Sequence, residues 1–153
     1  MSAAGESKTK AREAALQMLY ALELGGQDAA QIERWYLAAH PLPPAVRERA
    51  GALVDAAVGH REQIEDLIRR HARGWRLERI SVIDRSLLKL AAAELLLRPA
   101  PSLGVVVQAC LDLARKFSQP DALKFLHGLL DAMARDMAGA PVQDAAPATV
   151  EPD

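Results

Sequence analysis

The sequence is poor in cysteine, in aromatic residues and in long apolar runs, and each shortage excludes a class of protein. Among the 153 residues there is one cysteine, Cys110, so no intramolecular disulfide can form, which fits the reducing cytoplasm. Aromatic residues make up 4% of the chain, too few for a typical β-sandwich or barrel. No apolar run reaches the roughly 18 residues of a membrane helix, and residues 1–17 lack the apolar core of a signal peptide. We therefore expect a cytoplasmic protein with no membrane partner.

What the sequence does contain favours helices. Half of the residues are hydrophobic, with Ala and Leu dominant, and a quarter are charged. Ala, Leu, Arg and Glu lose little conformational freedom in a helix, so we predict an all-α fold. The apolar residues recur at helical spacing and predict six to seven helices. These cover residues 7–24, 28–39, 45–72 with a joint at Gly59, 82–98, 102–117 and 121–138.

Capping residues and apolar faces sharpen these boundaries. Four polar residues stand where N-caps are expected, namely Asp28, Ser81, Ser102 and Asp121. In the second helix Ile32, Trp35, Tyr36 and Ala39 share one side. Residues 1–6 are predicted to be disordered, residues 7–138 to form one helical domain, and residues 139–153 to form a disordered tail rich in Ala and Pro.

The sequence offers little that could perform catalysis. The four histidines (His40, His60, His71 and His127) lack the spacing of a helical zinc site, and neither a glycine-rich phosphate loop nor a nucleophile elbow is present. Cys110 lies among apolar residues, which favours a buried, inert thiol. We therefore predict a protein that is not an enzyme, has no metal and no cofactor, and acts by binding partners.

Two carboxylates stand out because of their surroundings. Glu94 lies in an apolar stripe of its helix, where a carboxylate is costly unless it is paired, so we expect an Arg or a backbone group as its buried partner. Asp84 follows Ser81 by three residues, as in a capping box, and it can either cap the helix or face a binding partner.

The basic residues near the N-terminus are Lys8, Lys10 and Arg12. Lys8 and Arg12 are four residues apart and share a helical side, whereas Lys10 points away. Three cations near a chain end suit contacts with phosphate, although the solvated start of a helix has the same composition. The whole chain has a net charge of −1, and without its acidic tail residues 1–138 carry +2. This charge permits nucleic-acid binding without arguing for it.

Taken together, several segments resemble the NusB family of bacterial transcription antitermination factors over about residues 8–135. The matching segments are KAREAALQMLY (10–20), LVDAAVGHREQI (53–64), WRLER (75–79), VIDRSLLKLAAAEL (82–95), LARKF (113–117) and DALKFLHGLLD (121–131). The resemblance implies a compact all-α bundle of two packed helical subdomains. It also implies binding of a single-stranded boxA-type RNA together with ribosomal protein NusE, within a transcription elongation complex with RNA polymerase that transcribes ribosomal RNA.

The resemblance also implies which residues meet each partner. By position, Lys8, Lys10 and Arg12 match the family's arginine-rich N-terminal motif, and Asp121, Lys124 and Phe125 match positions near the RNA. The ring of Phe125 would then serve as a platform for an unstacked base. Tyr20 and Asp84 match positions that face NusE. Monomer and homodimer both remain open.

The sequence departs from the family pattern at both ends of the proposed RNA surface. Lys8-Thr9-Lys10 stands where the family has arginines, and lysine keeps the charge but loses bidentate geometry. Gln108, Ala109 and His127 are further departures. The weakened N-terminal motif keeps open a divergent NusB-fold adaptor that binds a protein partner but has lost RNA binding. A third alternative is a detached copy of the NusB-like domain of ribosomal RNA cytosine methyltransferases, although without a second domain we expect no methyl transfer.

Overall fold

Seven α-helices and two short 3-10 helices build the protein in a computed structural model that describes residues 2–74 and 76–139. The α-helices are α1 (Ala3–Leu24), α2 (Ala29–Ala39), α3 (Pro44–Gly59), α4 (Arg61–His71), α5 (Val82–Leu96), α6 (Leu103–Phe117) and α7 (Leu123–Met137). The 3-10 helices are Leu77–Arg79 and Pro120–Ala122. The described residues contain no strand, so the predicted all-α fold is confirmed.

Helix α5 lies at the centre of the molecule and joins two helical groups. One group is α1, α2 and α3, and the other is α4, α6 and α7. Helix α5 packs against α1 and α3 on one side and against α4, α6 and α7 on the other, and every residue from 86 to 95 is buried. Helix α5 is rich in Leu and Ala on every side, as expected of a core helix, and its buried charges are paired. The two packed subdomains therefore share one core through α5.

Most helix boundaries follow the predicted signals. The side chains of Asp28, Ser81 and Ser102 each accept a hydrogen bond from a backbone N–H in the first turn of α2, α5 and α6, respectively. The chain changes direction directly after Gly59, where α3 ends, and α4 begins at Arg61. These predictions are confirmed.

The N-terminal boundary differs from the prediction. Helix α1 begins at Ala3, so residues 3–6 are helical and not disordered as predicted. Ser2 caps the helix by accepting a hydrogen bond from the N–H of Gly5 at 3.0 Å, and Glu6 places a carboxylate in the first turn, where the helix dipole favours it. The predicted tail, from residue 140 onward, lies outside the described residues.

One further prediction is wrong, and one aromatic residue of α2 lies in solvent. Asp121 does not cap the last helix, because Pro120–Ala122 form a 3-10 turn and α7 begins only at Leu123, without a side-chain cap. Trp35 is not buried; its exposed fraction is 52%. Ile32 and Tyr36 of α2 pack in or against the core, whereas Trp35 lies at an edge of the helix that faces solvent.

Two buried ion-pair clusters fix the position of α5 in the core. Near its middle, the Nζ atom of Lys89 donates to Glu23 of α1 and to Glu65 of α4, the latter at 2.8 Å. Burial alone would raise the pKa of Glu23, but hydrogen bonds from Lys89 and Arg85 hold it below its ordinary value. Near its end, α5 carries Glu94, whose partners are described below. Both clusters join α5 to helices that are distant in sequence.

Candidate functional site

The N-terminal basic residues divide into two exposed lysines and one buried arginine. Lys8 and Lys10 lie on the solvent side of α1 and make no ion pair within the described residues. Arg12 is buried, with an exposed fraction of 8%. Its Nε donates to one oxygen of Glu94 at 2.8 Å and its Nη2 donates to the other at 2.9 Å. The structure therefore pairs Arg12 with a carboxylate of the protein core.

The same carboxylate holds a second arginine. Nη2 of Arg49, on α3, donates to Glu94 at 3.0 Å. Glu94 is 1% exposed, so the predicted buried pairing with an Arg is confirmed, with two arginines in place of one. One carboxylate between two guanidinium groups leaves this cluster with one excess positive charge.

An apolar cavity lies toward the C-terminal end of α1, away from Lys8. It has a volume of about 540 Å³ and is lined by Leu16, Gln17, Tyr20, Ser81, Val82, Ile83 and Phe117. Tyr20 and Phe117 are 39% and 37% exposed, which is unusual for two aromatic rings beside one cavity. A concave apolar surface with half-exposed aromatic rings is typical of a protein-binding site. We call it the aromatic pocket.

Asp84 lies in α5 one residue beyond the edge of the aromatic pocket. Its exposed fraction is 7%, and Oδ1 accepts a hydrogen bond from the hydroxyl of Ser118 at 2.5 Å. Ser81, not Asp84, is the N-cap of α5. The carboxylate thus ties the start of α5 to the end of α6, and it is far less exposed than the rings of Tyr20 and Phe117.

Of the three other residues predicted to lie near the RNA, Asp121 lies in the 3-10 helix Pro120–Ala122, and Lys124 and Phe125 lie in the first turn of α7. Asp121 and Lys124 are exposed, and Phe125 is half-buried against the core. They follow Ser118, which contacts Asp84, whereas Lys8 lies at the other end of α1. The helical rise of about 1.5 Å per residue puts roughly 18 Å between Lys8 and the Tyr20 end.

The groove between α1 and α6 contains the departures from the family pattern. Thr9, Gln108 and Ala109 line one cavity of about 570 Å³, so these changes do fall on helices that face each other. The groove is bridged farther along by an ion pair from Lys116 to Glu13 at 2.6 Å. His127 lies elsewhere, on the exposed side of α7.

Chemically reactive groups are not assembled at these surfaces. Cys110 is buried, its Sγ lies 3.4 Å from the carbonyl oxygen of Leu87, and burial raises the pKa of its thiol far above the ordinary value. Within residues 2–74 and 76–139 no three His, Cys, Asp or Glu side chains converge in a way that could hold a metal ion. No helix of that part of the chain is both long enough and apolar enough to cross a membrane.

Sequence reasoning missed several residues of these surfaces. Phe117 and Ile83 complete the aromatic pocket, and Arg49 joins the Glu94 cluster. Phe117 occupies the end of an amphipathic helix, where the periodic pattern cannot tell a buried ring from a half-exposed one. Arg49 is one of many arginines on polar helix faces, and only the packing of α3 on α5 selects it.

The comparisons with known proteins agree on one family. The NusB family model matches residues 9–135. The transcription antitermination protein NusB of Koribacter versatilis is 38% identical over 86% of this chain and 90% of its own length. The crystal structure of NusB and NusE in complex with double-stranded RNA contains a chain that is 28% identical to this one, with a TM-score of 0.78, over 86% of this chain and 98% of that one. Thermotoga maritima NusB has a TM-score of 0.78 and is 26% identical over 91% of this chain and 95% of its own.

These matches place the structure among all-helical proteins in which two helical groups share a central helix. The chain belongs to the NusB family.

Proposed function

We propose that this protein is a cytoplasmic antitermination factor that binds boxA-type single-stranded RNA together with ribosomal protein NusE, within the elongation complex of RNA polymerase that transcribes ribosomal RNA. It acts by binding and not by catalysis. The observation that carries the proposal is the similarity, along almost the whole described fold, to a NusB chain solved with NusE and RNA.

The aromatic pocket is the proposed NusE site. Tyr20 and Phe117 offer large, half-exposed rings beside an apolar cavity, and aromatic anchors dominate the free energy of many protein interfaces. Asp84 supports this site chiefly by holding the end of α6, since its carboxylate is buried against Ser118.

The proposed RNA surface has two parts. Lys8 and Lys10 supply exposed charge for backbone phosphates at the start of α1, and Lys124 and Phe125 supply a charge and part of an aromatic ring at the start of α7. Arg12 contributes indirectly, by anchoring α1 to Glu94. RNA that contacts both parts must extend along the α1–α6 side of the molecule.

An adaptor that binds NusE but no RNA is the second candidate. The commitment of Arg12 to Glu94 favours it, because one of the three N-terminal cations is then withdrawn from solvent.

The two candidates are separated by fluorescence anisotropy with a labelled boxA-type RNA and a scrambled RNA of equal length, each with and without NusE. We expect boxA-selective binding that NusE strengthens. Binding of NusE with no RNA binding at low salt would favour the adaptor instead.

The NusE site is tested by Tyr20→Ala, with Trp35→Ala on α2 as the matched control, because both rings are exposed and only Tyr20 lines the pocket. Loss of an anchor ring should weaken NusE affinity by about tenfold or more, and the control should leave it unchanged. Equal affinities for the two variants would remove the pocket from the interface.

A further inference from the structure

A basic cavity lies at the end of the bundle where α1 begins and α5 ends. Its volume is about 350 Å³, at the small end of the range of roughly 300–1,000 Å³ for ligand sites. The lining residues are Lys8 of α1, Arg49 and Ala52 of α3, and residues 97–101, which connect α5 to α6. Three of them are cations and none is a carboxylate. We call this cavity the basic pocket.

The charge of Arg49 is not balanced from within the protein. Its Nη2 donates to Glu94, but that carboxylate also accepts two hydrogen bonds from Arg12. The Nε–H of Arg49 is buried and has no hydrogen-bond partner within the described residues. The side chain remains 26% exposed, at the wall of the basic pocket. The pocket therefore lies over a cluster that carries excess positive charge.

Arg98 is held in place beside this cluster. Its Nη1 donates to the carbonyl oxygens of Leu95 at 3.1 Å and Leu97 at 2.9 Å, where α5 ends. Those bonds use one nitrogen of the guanidinium, and its other N–H groups make no hydrogen bond to residues 2–74 or 76–139. Because the side chain is already oriented, a ligand that accepts from it loses little further conformational entropy.

The backbone around the pocket adds to its positive potential. Helix α6 begins at Leu103, directly after the lining segment, and the N-terminus of a helix carries a partial positive charge. The carbonyl groups at the end of α5 carry a partial negative charge, but two of their oxygens already accept hydrogen bonds from Arg98. Lys8 lies across the opening as an exposed ammonium group.

We propose that the basic pocket binds a phosphate group, with Arg98 and Lys8 as its direct ligands and Arg49 as the charge behind them. A phosphate accepts several hydrogen bonds and suits the fork of a guanidinium group, and its charge would offset the excess of the Arg12–Glu94–Arg49 cluster. As a phosphate of an RNA backbone it would extend the proposed RNA surface to α3 and to the α5–α6 connection. That source rests on the proposed function, whereas binding of free phosphate does not.

The first measurement titrates inorganic phosphate into the full chain at constant ionic strength, with chloride as the replaced anion, and follows binding by NMR. The variants are Lys8→Gln, Arg98→Gln and Arg98→Lys. Arg47→Gln is the matched control, because Arg47 is an exposed arginine of α3 that does not line the pocket. Arg49 is left intact because its loss would also disturb Glu94.

We expect Lys8→Gln and Arg98→Gln each to weaken phosphate binding about tenfold, the size of one charge-assisted hydrogen bond, and Arg98→Lys to weaken it less. Arg47→Gln should bind as the unmodified chain does. Melting temperatures of all variants test whether Arg98→Gln acts through the end of α5 instead. In that case both Arg98 variants would lose affinity in step with their loss of stability, which would remove Arg98 from the direct ligands.

The second measurement is the salt dependence of RNA binding by the same variants. If an RNA phosphate occupies the pocket, Arg98→Gln should reduce the slope of log K against log salt concentration by about 0.7. A normal slope with weakened inorganic phosphate binding would assign the pocket to free phosphate. Phosphate binding by a chain that binds no RNA would leave the pocket standing while the proposed function fails. If Lys8→Gln and Arg98→Gln match Arg47→Gln in both measurements, the phosphate pocket is refuted.

Discussion

Replacing Glu94 by glutamine should destabilise the protein more than any other single change from a carboxylate to an amide. The side chain of Glu94 is 2% exposed and is the shared partner of Arg12 and Arg49. Glutamine has nearly the same shape, so the core loses no volume. What it loses is the negative charge, and two guanidinium groups are then left side by side, one of them with a side chain only 9% exposed.

The magnitude follows from the cost of an uncompensated buried charge. Removing one partner of a buried ion pair typically costs about 3–5 kcal/mol, which is a large part of a domain's total stability of roughly 5–15 kcal/mol. For a chain of 153 residues an unfolding entropy of about 2.1 cal/mol/K per residue converts this cost to a fall in Tm of about 9–16 °C.

The assay is urea or thermal unfolding followed by circular dichroism, with Glu48→Gln as the control. Glu48 lies on exposed α3 surface and makes no ion pair within residues 2–74 and 76–139, so its change should cost less than about 0.5 kcal/mol. A third variant, with Arg12, Glu94 and Arg49 all replaced by apolar residues of similar length, should recover most of the lost stability, because no charge then remains unpaired. If Glu94→Gln costs no more than Glu48→Gln, the reasoning about the buried cluster is refuted.

Three other outcomes are expected. Burial, with the neighbouring carboxyl of Asp55, raises the pKa of Glu33 to about 7. The protonated Glu33 side chain therefore contributes fully to folding stability below about pH 4.5, and this contribution is lost as the pH rises through 7. The Tm of Glu33→Gln relative to the unmodified chain should therefore be higher at pH 8 than at pH 5, and an equal difference at both values would contradict this. Cys110, buried and with a raised pKa, should react with a thiol reagent at pH 8 only after denaturant unfolds the chain, and reaction in the native state would show that the core opens locally. Lys8→Ala with Lys10→Ala should reduce the salt slope of RNA binding by about 1.4, and an unchanged slope would remove the start of α1 from the RNA surface.

Much of the fold could be predicted because its signals are local. A cap residue such as Asp28 or Ser102 satisfies backbone groups within its own first turn, so its role depends on neighbours in sequence. The same holds for Gly59, where α3 ends. The start of α1 was missed because the short cap at Ser2 precedes any apolar periodicity.

The site was harder to predict because its residues meet only after the helices pack. Glu94 could be recognised as a buried acid that needs a partner, since a charge inside an apolar stripe is visible in the sequence. The sequence does not show which arginines Glu94 binds, because Arg12 and Arg49 lie on two other helices and both also suit a solvent-exposed face. The pairing of Arg12 with Glu94 therefore appears only in the packed structure.

The sequence by itself determined the helical class, the number of helices, most of their caps and the resemblance to a family. These follow from periodicity, capping and motif order, which are properties of neighbouring residues. Only the tertiary structure decided that Asp84 is held by Ser118, that Tyr20 and Phe117 share a cavity, and that three cations surround the basic pocket. Each of these depends on how helices distant in sequence cross one another, and that is set by the packing of α5 against its neighbours on both sides and not by any segment alone.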